Sequence, residues 1–379
     1  MISLGVTSII IANDEKKLKQ FADLPYRKYR DSSHWVPPLR SEASELLAET
    51  NPFFNHVKAK FFLAMRSGEA VGRIASFDDA AQNAKHHINA LFFGFFEADN
   101  AETATLLFDA LEREAKSLGR GRIRGPVMPE ELYQSGFALN SEDRAFYLTP
   151  QNPAIYNDYT EQAGYDKLKD FKSYLYDTHL GSDTEVSSLI KEKQAEGYSL
   201  RQLDKRNYDA EMARLFGFFN DAYEAHWGFV PQEKGEISFL SARLKRFIDA
   251  RTILFLEKGS DLVGAIAGFP DAHQTLAKVK GGRLFPFGFW QLIDPKRHIH
   301  QLLVPMLAIA RTERRQGLER WLIYDLQERA KSYRYKLVEF SGVIEDHKTM
   351  PEVLRSLGAK EYKTYRLYQK NLLEPLRQT

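Results

Sequence analysis

The residues that first invite a chemical reading are Ala308-Ile309-Ala310-Arg311-Thr312-Glu313-Arg314-Arg315-Gln316-Gly317-Leu318, where an apolar run turns through a basic loop into a helical pattern. A helix N-terminus presents unpaired N–H groups and a partial positive charge, so a strand, loop and helix in this order can hold a pyrophosphate. Gly317 lets the backbone approach such an anion. Other motifs carry less. Gly119-Arg120-Gly121-Arg122-Ile123-Arg124-Gly125 falls between a helical pattern and a strand, the reverse of a dinucleotide loop, and reads as a turn. His86-His87 and His298-x-His300 lack a third ligand at a recognisable spacing, and the chain has no cysteine, so no metal is expected. Without a Gly-x-Ser-x-Gly elbow or a Walker loop, hydrolase and NTPase chemistry have no support.

These residues need a scaffold, and the chain repeats one. His34-Trp35 recurs as His226-Trp227, and Val71-Gly72 with Ile74, Ala75, Phe77, Asp79 and Ala80 recurs as Val263-Gly264 with Ile266, Ala267, Phe269, Asp271 and Ala272, all at a separation of 192 (34 to 226, 71 to 263). Residues 164–174 resemble 358–368 at a separation of 194. Chance matches would scatter in register, so the chain holds two copies of one domain. Periodicity gives each copy the same order: strand (6–11, 198–203), helix (16–29, 208–225), hairpin (61–77, 253–269), strand (91–96, 303–309), helix (101–118, 318–333), strand (122–127, 337–340), helix (156–163, 349–357) and a closing strand. This is an α+β order, unlike the regular alternation of a doubly wound sheet. Residues 177–196, polar and rich in Ser, Thr, Lys and Glu, read as the linker, with room for a short helix.

Composition bounds the function. At 379 residues with 43% hydrophobic side chains, the chain is long enough for two domains and can bury a core in each. A net charge of +2 provides no global field for nucleic acid, so dedicated DNA binding is disfavoured. The longest apolar stretches, 91–96 and 302–310, fall short of the roughly 20 residues that span a bilayer. With no signal-peptide pattern and no cysteine, a cytoplasmic protein is expected. The basic stretches 201–206 and 278–283, with Lys296, Arg297, Arg311, Arg314 and Arg315, read first as solvated faces, and the aromatic run 285–290 as core or interface filler.

The basic loop resembles the acetyl-CoA loop of the GNAT superfamily of N-acetyltransferases, Arg/Gln-x-x-Gly-x-Gly/Ala. Arg314-Arg315-Gln316-Gly317-Leu318-Glu319 matches the first basic position and the central glycine, and departs from the pattern at Glu319. Both copies follow the family's element order and its closing helix before Gly164-Tyr165 or Gly358-Ala359. More narrowly, the chain is similar to bacterial tandem GNAT-like proteins in Trp35-Val36-Pro37-Pro38, Asn51-Pro52-Phe53-Phe54, Val71-Gly72-Arg73-Ile74, Phe93-Gly94-Phe95-Phe96-Glu97, Gly125-Pro126 and Trp227-Gly228-Phe229-Val230-Pro231. The resemblance implies two tandem domains, 1–178 and 198–379 joined by 179–197, each a mixed, mostly antiparallel twisted sheet flanked by helices. It implies acetyl-CoA or another acyl-CoA as co-substrate, held in the second copy by Ile309, Ala310, Arg311, Arg314, Arg315, Gln316, Gly317 and Leu318. The first copy's junction, Glu97-Ala98-Asp99-Asn100-Ala101-Glu102-Thr103, has three carboxylates and no basic residue, and is expected to repel pyrophosphate.

Family chemistry is direct attack of an amine on the thioester, aided by a base and an acid. The expected bases are Glu339 and Glu345, with His300 as a third, and the expected acid is Tyr368 or Tyr365 on the last strand. Tyr156, Trp227, Asp271 and His273 are expected to line the acceptor site. The function implied is acyl-CoA-dependent N-acylation of a small amine or amino-acid-like acceptor, with no DNA or membrane partner and a homodimer as a compatible state. The rivals are a Fem-type aminoacyl-tRNA-dependent transferase, which needs RNA, and a non-catalytic binding protein that kept the fold.

Overall fold

The computed structural model describes residues 6–129, 134–140, 143–180, 186–285, 288–292 and 298–372. The chain divides into two compact units: Met1–Asp170 with Val279–Gly288 and Thr364–Thr379, and Phe171–Lys278 with Phe289–Lys363.

The first copy contributes β1 (Ser8–Ile11), α1 (Glu15–Lys28), α2 (Arg40–Leu47), β2 (Val57–Arg66), β3 (Glu69–Asp79), α3 (Ala80–Lys85), β4 (Ala90–Ala98), α4 (Ala101–Ser117), β5 (Arg122–Gly125), β6 (Phe137–Ala138), α5 (Ile155–Gln162) and β7 (Asp166–Asp177). Asp14 starts α1 by accepting the Lys17 amide at 2.8 Å, and the helix buries Phe21 and Leu24 against the sheet. Ser67 and Gly68, at φ 51° and 83°, make the tight turn that joins β2 to β3. Strands β1 to β4 pair antiparallel in sequence order, and β4 runs parallel to β5 over only Ala90–Phe92. Beyond Phe92 the two strands part. Val127 fills the gap, donating its amide to the Phe93 carbonyl at 2.8 Å. A Cβ on Gly94 would lie 1.9 Å from the Val127 oxygen, so only glycine permits this approach.

The second copy repeats the plan with α6 (Val186–Ala195), β8 (Tyr198–Gln202), α7 (Tyr208–Tyr223), α8 (Lys234–Leu244), β9 (Ile253–Lys258), β10 (Asp261–Pro270), α9 (His273–Leu276), β11 (Gln301–Ile309), α10 (Leu318–Ser332), β12 (Leu337–Ile344), α11 (Thr349–Ser356) and β13 (Lys360–Asn371). Here β8, β9, β10 and β11 pair antiparallel, and β11 runs parallel to β12 over Gln301–Val304. The next residue of β11 is Pro305, which has no N–H to offer, and among the described residues no further β11–β12 pair follows. One face of this sheet carries Leu302, Val304, Val338 and Phe340 into a core with Leu318, Trp321, Leu322 and Leu326 of α10. Alternation turns Leu303 and Glu339 to the other face.

Each closing strand serves the other copy's sheet. Tyr368 of β13 pairs with Gly125 of β5, while Tyr174 of β7 pairs with Phe340 of β12. The chain therefore crosses between units inside β7 and again inside β13. Residues 279–288 of the second copy also belong to the first unit, where Arg40 donates to the Gly281 carbonyl at 3.0 Å and Gly282 backs onto Pro38. Of the aromatic run, expected as core or interface filler, Phe285 is 79% and Trp290 61% exposed, while Pro286 and Phe287 lie outside the described residues, as do Lys296 and Arg297 of the basic stretches. No helix among the described residues is long and apolar enough to cross a membrane.

Candidate active site

The turn between the fourth strand and its following helix separates the copies most sharply. In the first copy it is two residues, Asp99 and Asn100; in the second it is eight, Ala310 to Gly317. The short turn satisfies itself. Asn100 caps α4 by accepting the Thr103 amide at 2.9 Å, and Asp99 accepts from the Thr103 hydroxyl and from Arg66, each at 2.6 Å. An anion arriving there would meet a carboxylate and an occupied cap.

The long turn is built differently. Ile309 ends β11 with its carbonyl facing the Arg314 side chain at 3.3 Å, and the Ala310 amide donates to Val263 at 2.8 Å. Arg314 also donates to the Ala222 carbonyl at 3.0 Å, which ties the turn to the last turn of α7, and Arg311 pairs with Glu224 at 3.0 Å. Gln316 donates to Glu313 at 2.8 Å, and Glu313 also accepts from the Tyr198 hydroxyl at 2.5 Å. Arg315 and Gly317 have positive φ, 65° and 76°, and this backbone leads into α10 with no side-chain cap. Leu318 is buried in the core, but its amide and that of Glu319 donate to no acceptor among the described residues. Arg315 is exposed and without an ion pair or hydrogen bond among the described residues, as is the half-buried Glu319 carboxylate. The turn thus offers free N–H groups and a free guanidinium, with one carboxylate beside them.

Next to this turn lies a cluster not expected to be chemical. Tyr223, the last residue of α7, donates its hydroxyl to the Leu307 carbonyl at 2.7 Å and accepts from the Leu307 amide at 3.0 Å. Leu307 belongs to the part of β11 that β12 has left, so the tyrosine satisfies an otherwise open strand edge. The His226 ring packs against Tyr223 at 4.7 Å between centroids, inclined at 65°. Its Nδ1 is buried and has no hydrogen-bond partner. Burial first, and then the Arg314 guanidinium, hold the His226 imidazole below its ordinary value of 6.5 against the Tyr223 carbonyl, which favours the protonated ring; His347 and Arg311 add to the lowering. His347, just before α11, is lowered likewise by burial and by Arg314, and its Nδ1 accepts the Met350 amide at 3.1 Å. In the sequence His226 served only as a register marker of the duplication, and His347 only as part of a closing signature.

The other expected residues fall in varied places. Glu339 is fully buried on β12 opposite Leu303, at the level where β11 and β12 are still paired. Glu345 is half-buried in the turn after β12, and His300 is exposed, its amide bound to Gln274 at 2.7 Å. Tyr368 and Tyr365 sit in the first unit because β13 pairs there; the single Tyr368 hydroxyl proton has two acceptors in reach, Asn157 at 2.9 Å and Glu161 at 3.2 Å. Tyr156 also belongs to the first unit and is buried: with Tyr29 it donates to Glu97, at 2.7 and 2.5 Å, and Lys28 reaches both Tyr156 and the Ala98 carbonyl. Burial lowers the Lys28 ammonium. In the second unit, Trp227 is exposed against Phe171, while Asp271 and His273 are buried where α9 begins, the Asp271 carboxylate accepting the His273 amide at 3.2 Å. Among the described residues no group of three or more His, Asp or Glu is placed to hold a metal.

Comparison with known proteins bears on the family. No family model matches the chain. The bacterial ceramide synthase of Caulobacter vibrioides (strain NA1000 / CB15N) is 30% identical over 378 residues, covering 96% of this chain and 97% of that protein. Protein YghO of Escherichia coli (strain K12) is 27% identical over 368 residues, covering 95% and 94%. Among solved structures, a tandem GNAT protein from the clavulanic acid biosynthesis pathway superposes with a TM-score of 0.58 at 13% identity, covering 98% of this chain and all of that one. A GCN5-related glucosamine N-acetyltransferase region of a fungal multi-domain enzyme gives 0.57 at 14% identity, over 97% of this chain and 38% of that chain. The solved structures give the fold and the full-length similarity gives the relationship: the chain has the fold of tandem GNAT proteins and belongs to the family that includes the bacterial ceramide synthase of Caulobacter vibrioides.

Proposed function

We propose that the chain is an acyl-CoA-dependent N-acyltransferase whose second copy holds the CoA phosphates. The observation that carries this reading is the eight-residue turn before α10, with unpaired amides at Leu318 and Glu319 and an unpaired Arg315. Arg311, Arg314, Gln316 and Gly317 frame the same turn, and Ile309 and Ala310 bring the strand edge to it. These groups suit a pyrophosphate by charge and by N–H supply. Glu319 opposes it, so Arg315 is the group expected to offset that carboxylate.

The acceptor we favour is a long-chain amino alcohol rather than the small amine expected from the sequence, because a relative matched over 96% of the chain is named a ceramide synthase, and a ceramide is an amide on such an amine. The reaction forms a C–N bond to the thioester carbonyl carbon and releases CoA as the thiol. Incubation of the purified chain with palmitoyl-CoA and either sphinganine or a panel of amino acids, read by mass spectrometry, tests both parts. An N-acyl sphinganine supports the reading. Acylated amino acids instead would restore the small acceptor, and no product with any amine would favour the non-catalytic or tRNA-dependent alternative.

A further inference from the structure

We propose that His226 is the general base of this transfer, taking a proton from the acceptor's ammonium beside the open part of β11. The inference rests on the acyl-CoA reading above and adds a residue that the loop motif does not contain. Its support is geometric. Tyr223 anchors the end of α7 to Leu307 by two hydrogen bonds, His226 packs on that ring, and the His226 amide donates to the Tyr223 carbonyl at 2.7 Å. Arg314, in the turn that would hold the phosphates, bonds the same helix end at Ala222. The histidine is thereby fixed between the phosphate turn and the strand edge.

Its Nδ1 is buried beside the Tyr223 carbonyl, which favours a proton on that nitrogen and leaves the lone pair on Nε2, a nitrogen with no hydrogen-bond partner among the described residues. An acceptor ammonium brings three donors to that nitrogen. The alternatives are worse placed. His347 has Nδ1 engaged by Met350, and Glu339 lies where β11 and β12 are still paired.

In the step, Nε2 accepts a proton from the acceptor ammonium, and the freed amine nitrogen forms the C–N bond at the thioester carbonyl. The tetrahedral adduct loses a second proton from nitrogen as the C–S bond breaks; that proton ends on sulfur, giving the amide and CoA thiol. The imidazolium returns its proton to solvent. The groups facing His226 are Tyr223 on α7, Arg311 and Arg314 in the turn, and His347 before α11, with Glu224 already bound to Arg311. Both guanidiniums resist its protonation, so the base is available at neutral pH.

The test is thiol release from palmitoyl-CoA with sphinganine by the full chain, across pH, for wild type, His226→Gln and His226→Asn. Expected is an acidic limb in kcat with a midpoint below 6.5 for wild type, and a fall of about 10²-fold or more in kcat for both variants, with CoA affinity kept by calorimetry. A wild type that turns over with a flat profile from roughly pH 5 to 8, or variants within about threefold of it with the same acidic limb, would overturn His226 as base and leave the acyl-CoA reading standing. A wild type that binds no CoA and releases no thiol would overturn that reading, and His226 with it.

Discussion

The Tyr223 hydroxyl and the Leu307 peptide exchange two hydrogen bonds, one donated to the carbonyl at 2.7 Å and one accepted from the amide at 3.0 Å. The first copy makes a parallel arrangement with different residues: Tyr156 takes the Ala98 amide at 3.3 Å, and Lys28 donates to the Ala98 carbonyl. In both, a strand edge abandoned by its parallel neighbour is satisfied by side chains. In the second copy the capping tyrosine also carries a histidine with an unpaired nitrogen.

Tyr223→Phe removes both Leu307 partners and leaves a peptide group unsatisfied beside a buried ring. Denaturant unfolding should show a loss of about 1–3 kcal/mol. An unchanged midpoint would mean that water replaces the hydroxyl without cost.

Asn100→Ala deletes the cap of α4 in the first copy, where the side chain accepts the Thr103 amide. A loss of about 1 kcal/mol in stability is expected. Calorimetry should give the same CoA affinity as wild type, because that junction is not the proposed phosphate site. Weakened CoA binding would move the site to the first copy.

Gly282→Ala places a Cβ at φ +66° and 2.1 Å from the Pro38 carbonyl oxygen, a contact with backbone that cannot give. Thermal unfolding should register a clear loss of stability, on the order of 1–2 kcal/mol from the left-handed conformation alone and more from the clash. Wild-type stability would show that residues 279–288 are not held against the first unit.

Asp249 gives a pH signature. Burial would raise its carboxyl, but hydrogen bonds from Arg251 and Tyr335 outweigh burial and hold it below the ordinary 3.8. A folded value below the unfolded one adds stability that is fully present above about pH 4 and is lost as pH falls through the lowered value. Denaturant midpoints measured from neutral pH downward should fall faster for wild type than for Asp249→Asn, which will be less stable at neutral pH. Parallel curves would remove Asp249 from the acid response.

Much of the scaffold was legible in the residues. The 192-residue register of His34-Trp35 with His226-Trp227 exposed the duplication, and alternating and helical periods gave the element order. The exchange of β7 and β13 was not legible, because residues 164–174 and 358–368 carry the same pattern and either strand satisfies either sheet. Tyr368, expected beside the second copy's turn, therefore lies in the first unit, where it pairs with Gly125. The candidate phosphate turn is legible because it is local, from Arg311 to Gly317, whereas a cluster assembled from distant segments is not. His226 acquires meaning only because Arg314 folds back onto Ala222 and Tyr223 reaches Leu307, contacts between residues more than 80 positions apart.

The phosphate turn of the second copy is tested most directly by calorimetric titration of the full chain with CoA and with octanoyl-CoA, repeated on Arg315→Ala and Gly317→Glu. Gly317→Glu adds a carboxylate at φ +76° with Leu189 3.0 Å from its Cβ, so it is read only alongside its unfolding midpoint. Saturable binding by wild type, weakened about tenfold for Arg315→Ala, as the loss of one charge-assisted phosphate contact implies, and abolished for a folded Gly317→Glu, is the expected result. Binding of equal strength in all three proteins, or none by wild type, would contradict it.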